Sequence, residues 1–164
     1  MRKTIWLVAV VMSMALAAGC GKRETPMDGI GTLKFGKSTL DDWGYPCNPP
    51  SNGQTYCQAS PLEKAHFVSL GGQNGAAGAL FGGTEKTAPL VEIDILVERC
   101  NGPELRAWLK SQVGTASEER EGAAFWKQKI VFIAAVVPPG TGECKVNFVE
   151  TKNTARVDKL RERQ

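Results

Sequence analysis

From Ala65 to Val149 apolar and polar residues mostly alternate with a period of two, interrupted by one stretch of helical period. Leu90 to Cys100 is the clearest strand: Val91, Ile93, Ile95 and Val97 fall on one face, and Glu92, Asp94 and Glu98 fall on the other. Such alternation marks an antiparallel strand with one wet side. Ala65 to Leu70 predicts a shorter strand. Phe125 to Val137 predicts one long strand, wet at Lys127 and Lys129 and apolar from Ile130 onward, so that its second half is buried on both sides. Pro138 to Gly142 turns the chain back into a strand over Cys144 to Val149, with Cys144, Val146 and Phe148 on one face. The helical stretch follows Asn101, which caps it. Pro103 lies in its first turn, Glu104 takes the capping-box place, Leu105, Trp108, Leu109 and Val113 form its apolar stripe, and Gly114 ends it.

The rest of the chain is weaker in pattern. Ser38 is a suitable cap for a short helix over Thr39 to Trp43, with Leu40 and Trp43 turned inward, and Gly44 and Pro46 stop it. Pro46 to Gln54 reads as a loop. Gly71 to Gly83, the most glycine-rich segment, predicts a hairpin turn near Asn74-Gly75 and a weak strand over Ala79 to Phe81. Ala116 to Gly122 reads as a charged connector, and Thr151 to Gln164 as a charged tail or frayed helix. These elements predict an α+β fold, an antiparallel sheet with one or two short helices packed on one face, in a single domain over residues 32–150.

The first 19 residues are of another kind. Arg2 and Lys3 precede an apolar run from Ile5 and a small-residue ending, Leu16-Ala17-Ala18-Gly19-Cys20. Basic, apolar and small-residue zones in that order make a secretory signal. About 14 apolar residues fall short of the roughly 20 needed to span hydrocarbon. The ending resembles the lipobox of bacterial lipoproteins, with Leu one place earlier than usual. That resemblance implies cleavage before Cys20, acylation of Cys20, and a lipid-anchored protein of the bacterial envelope, with Gly21 directing it to the outer membrane, facing the periplasm. Residues 20–31, polar and broken by Pro26 and glycines, read as the tether.

Charge and cysteines fit that compartment. The whole chain has 20 basic and 17 acidic residues; two of the basic ones leave with the signal, so the rest is formally +1. Nucleic acid, whose binding depends on neutralising phosphates, is disfavoured as a partner. Cys47, Cys57, Cys100 and Cys144 remain, an even number suited to two disulfides. Three pairings are open. Cys47–Cys57 with Cys100–Cys144 is favoured because each pair brackets a plausible antiparallel or loop unit. Loops of about 11 and 45 residues would contribute roughly 3 and 4 kcal/mol. A zinc site adding His66 is disfavoured because Cys-x-x-Cys spacing is missing.

Several motifs invite chemistry. Gly31-Thr32-Leu33-Lys34-Phe35-Gly36-Lys37-Ser38 fits the phosphate-loop pattern. That loop needs a buried strand before it and a long helix after it, and the flanking glycines and prolines provide neither. No nucleotide and no other cofactor is expected. His66, the single histidine, reads as a half-exposed strand residue, and a serine triad lacks its elbow motif. Glu92, Asp94 and Glu98 read as a solvated row that Lys127 and Lys129 could pair with. Their rival roles are calcium binding or glycoside chemistry. Trp43, Trp108 and Trp126 read as core anchors. Phe35-Gly36-Lys37-Ser38, followed by Gly44-Tyr45-Pro46, resembles the opening of small outer-membrane lipoproteins and β-lactamase-inhibitor-like domains, with the two glycines about one helical turn closer together. The resemblance implies an α+β domain that binds other proteins or assists envelope assembly. The expected role is therefore a non-catalytic module that binds an envelope protein. An inhibitor or small-ligand binder using the Gly71–Gly83 and Cys47–Cys57 loops is the alternative, and a hydrolase built on His66 or the carboxylate row is a third.

Overall fold

A computed structural model describes residues 27–44, 46–58 and 67–162. In chain order the strands are β1 (Gly29–Ile30), β2 (Leu33–Lys34), β3 (Thr55–Gln58), β4 (Phe67–Leu70), β5 (Gln73–Phe81), β6 (Leu90–Asn101), β7 (Glu118–Arg120), β8 (Ala123–Lys127), β9 (Val131–Val136) and β10 (Thr141–Glu150). A 3₁₀ turn covers Leu40–Trp43, and the helices are α1 (Gly102–Val113) and α2 (Thr154–Glu162). One antiparallel sheet runs β3-β5-β6-β10-β9-β8-β7, with β4 also paired to β5. The α+β fold predicted from the alternation is what forms.

Strand β6 is central, between β5 and β10. Its odd-numbered residues Ile93, Ile95 and Val97 join Val146 and Phe148 of β10 and Ile133 and Ala135 of β9 in the main core. Helix α1 closes this face with Leu105, Leu109 and Val113, and Asn101 caps it by accepting the Glu104 N–H. Trp43 meets Phe81 edge-on at 6.5 Å. Trp126 is buried and donates to the Gly114 carbonyl, whereas Trp108 is half-buried over the turn at Gly71. The disulfides are Cys47–Cys57 and Cys100–Cys144, the second joining neighbouring strands β6 and β10.

Several local expectations are corrected. Phe125 to Val137 is a hairpin, not one strand: β8 and β9 pair with a turn at Gln128, whose N–H reaches the Val131 carbonyl. The glycine-rich segment is not a turn at Asn74-Gly75 but the nine-residue strand β5, and the turn lies before it at Gly71-Gly72, both at positive φ. Glycine counts as a turn signal, yet here it makes room for neighbours. A Cβ on Gly75 would lie 2.6 Å from Ile95 Cγ2. The first helix cap is Thr39 with Asp42 rather than Ser38, whose hydroxyl accepts from Lys34 N instead. Glu118–Arg120, expected in a connector, pairs as β7.

The described fold extends past both ends of the expected domain. Ile30, placed in the tether, is buried, and β1 pairs with β2. The supposed tail forms α2, which lies on the opposite face from α1. There Leu160 and Val157 cover Ala123, Phe125, Phe132, Ala134 and Val149. The second half of the long apolar run is thus buried on both sides, as its composition required.

Candidate functional site

Helix α2 covers only the β8–β9–β10 part of its face, and beside it the sheet is open. The side chains on this open part follow from register. Asp94 of β6 lies opposite Gly78 on one side and Asn147 of β10 on the other, and Glu92 lies opposite Leu80 and Val149. Tyr56 of β3 pairs with Leu80. Its ring passes over Gly78, where a Cβ would sit 2.4 Å from the Tyr56 hydroxyl oxygen. Glycine at 78 therefore lets a tyrosine from one strand cross a second strand to reach a third.

The hydrogen bonds converge. The Tyr56 hydroxyl lies 3.1 Å from both Asp94 carboxylate oxygens. Arg156 of α2 donates to both oxygens of Glu92, Nε to Oε2 at 2.7 Å and Nη2 to Oε1 at 2.7 Å. Asn147 Nδ2 donates to Glu92 Oε1 at 3.0 Å. Glu92 and Asn147 are buried, at 4% and 1% exposure. The Asn147 amide oxygen is also buried, with no hydrogen-bond partner among the described residues. Tyr56, Leu80, Asp94 and Lys145 line a hollow of about 380 Å³ with Glu92, Asn147 and Arg156. A second hollow of about 330 Å³, toward Glu121 and Leu160, shares Lys145, Asn147 and Arg156. The two make one groove floored by β10.

Burial pushes the Asp94 carboxyl above its usual range; the Tyr56 hydroxyl opposes that shift, the Glu92 charge adds to it, and Lys145 and Arg156 oppose it. Burial, then the charge of Asp94, pushes the Tyr56 hydroxyl up. Tyr56 thus stays a donor. The hydrogen bonds that Arg156 donates to Glu92 hold its guanidinium firmly cationic. Lys145 is exposed and in no ion pair among the described residues. The groove therefore offers a cation, a tyrosine hydroxyl and a half-buried carboxylate over an ion-paired floor.

The carboxylate row is only partly a wet row. Glu98 is exposed and Asp94 half-buried, but Glu92 is buried, and its partner is Arg156 rather than Lys127 or Lys129. Lys127 and Lys129 lie at the β8–β9 turn instead. Among the described residues, no three His, Cys, Asp or Glu side chains are placed to hold a metal. Gly31 to Ser38 holds the β1–β2 turn, strand β2 and the turn after it, with Lys34 bound to Asp28 at 2.7 Å. The Cys47–Cys57 loop is an exposed turn bridged at Ser51 and Gln54. Cys20 and His66 lie outside the described residues.

Tyr56, Lys145, Asn147 and Arg156 did not stand out in the sequence. The available signal was slight: a lone Asn between Val146 and Phe148, and a glycine inside an apolar run. Comparisons with protein-family models, curated proteins and solved structures returned no match.

Proposed function

We propose that this chain is a lipid-anchored lipoprotein of the bacterial envelope, held through acylated Cys20 and facing the periplasm from the outer membrane. Its domain acts there as a non-catalytic binding module for another envelope protein. The groove beside α2 is the recognition site. What carries this reading is that the groove's buried groups already engage each other: Glu92 with Arg156 and Asn147, and Tyr56 with Asp94. Such a constellation holds fixed positions for recognition. Lys145 and the Tyr56 edge face outward to supply specificity, as polar groups at the margin of an interface do.

The lipobox-like ending at Cys20 and two disulfides of the kind retained in oxidising compartments support the address. The test is recovery of partners from detergent-solubilised native membranes. Intact protein should bring down a stoichiometric envelope protein, and Lys145→Glu should lose it while keeping the same melting temperature. Repeated recovery of nothing, or an unchanged partner with Lys145→Glu, would contradict the assignment.

A further inference from the structure

The described chain starts at one end of the sheet, where the Met27 N–H donates to Gln128 Oε1 at 2.9 Å in the β8–β9 turn. Six residues lie between Cys20 and Met27, so the seven Cα-to-Cα steps span at most about 25 Å at full extension. An anchor at Cys20 therefore keeps this turn near the bilayer. The turn carries Lys127, Lys129 and Ile130, all exposed. Ile130 is the exposed large hydrophobic side chain among the described residues, at 37%.

The β10–α2 turn packs against it. Thr151 donates its N–H to the Ile130 carbonyl at 2.8 Å and its hydroxyl to the Lys129 carbonyl at 3.2 Å. Lys152 thereby joins the patch. Its neighbour Glu150 is 3.6 Å away. Glu118 pairs with Arg120 and Arg161, and Asp28, next to Met27, pairs with Lys34; Asp158 lies beside Arg161 in a hollow that Lys127 also lines. Lys127 and Lys129 have no ion pair among the described residues. At the other corner of this end Asp41 pairs with Lys86. The basic charge is concentrated beside the chain's entry point.

We propose that Lys127, Lys129 and Lys152, with Ile130, form a membrane-contact patch that lies on anionic phospholipid headgroups and fixes how the domain stands on the bilayer. This rests on the anchored-lipoprotein reading and adds an orientation to it: with the β8–β9 turn down, the sheet stands with α1 and the α2 groove on its two sides. Lysines near an anionic surface each add attraction that salt weakens, and an inserted aliphatic side chain adds an apolar contribution. Neither replaces the acyl anchor; together they orient it.

The test uses the chain from residue 20 onward carrying Cys20→Ser, which keeps every described residue and removes the anchor. Its partitioning is measured on phosphatidylcholine vesicles with and without phosphatidylglycerol. It should bind the phosphatidylglycerol vesicles and be released by salt. Lys127→Gln with Lys129→Gln should weaken partitioning about thirtyfold, Ile130→Ser should weaken it less, and Lys110→Gln on α1 should leave it unchanged. Equal loss with Lys110→Gln, or no preference for phosphatidylglycerol, would overturn the patch. So would indifference to both vesicle types in a chain whose lysine pair is instead needed to recover a protein partner. Failure of the anchor itself is read separately, as native protein whose Cys20 carries no acyl group by mass spectrometry.

Discussion

On the α1 face, β6 and β10 contribute Ile93, Ile95, Val97, Val146 and Phe148, none more than 2% exposed. On the other face the same two strands contribute Glu92, Asp94, Lys145 and Asn147. The first face is closed by apolar contact, a capped helix and the Cys100–Cys144 bridge. On the second, α2 is held by two apolar residues and by ion pairs from Arg156 and Arg161. Desolvating such pairs costs nearly what their attraction returns, so a buried pair is weak evidence for stability. The comparison teaches that one face makes the fold and the other spends part of that stability on fixed polar groups.

Substitutions on the two faces should differ in size and in reach. The largest loss falls on the first face. Phe148→Ala should cost about 3–5 kcal/mol by urea unfolding, through lost burial and the cavity left behind. Next comes the ion pair. Arg156→Ala leaves Glu92 buried without its cation and should cost about 2–3 kcal/mol, below the fully buried limit because Arg156 is partly exposed. Hydrogen exchange should show the loss concentrated in residues 154–162, with α1 still protected. Replacing the whole buried set by apolar residues, Glu92→Met and Arg156→Leu together with Asn147→Leu, whose amide would otherwise lose its acceptor, should restore stability to within about 1 kcal/mol of the original. An Arg156→Ala variant that loosened α1 as much as α2 would break the distinction between the faces.

The smallest effect concerns pH. The Asp94 carboxyl is raised, mainly by burial. The folded state therefore takes up its proton more readily than the unfolded chain. Its contribution is complete below the unfolded value of about 3.9 and is lost as pH rises through the raised folded value. Asp94→Asn removes this dependence. Stability should change by no more than about 1 kcal/mol at neutral pH, and the pH profile just above 4 should flatten. A profile unchanged by Asp94→Asn would show that the groove does not raise the Asp94 carboxyl.

The first face was legible in the sequence because apolar periodicity and a capped helix point the same way there. The Leu90–Cys100 alternation, the Asn101 cap and Gly114 stop, and the favoured cysteine pairing all match the structure. The second face was hidden for a physical reason. Glu92, Asn147 and Arg156 look like solvent residues one at a time, and only register places them together across 64 residues of chain. Glycines misled in the same way: Gly75 and Gly78 mark where another strand's side chain overlies the backbone, not where the chain turns. The charged stretch after Thr151 gave only two large apolar residues, Val157 and Leu160, to announce a docked helix.

The most direct measurement places a photo-crosslinking side chain at Lys145, in the groove, and in a parallel protein at Lys110, on the outer side of α1. Both are irradiated in native membranes. The two-faced account predicts a defined adduct with one envelope protein from position 145 and none from position 110. Adducts from 110 alone, or equal and unspecific adducts from both, would contradict it.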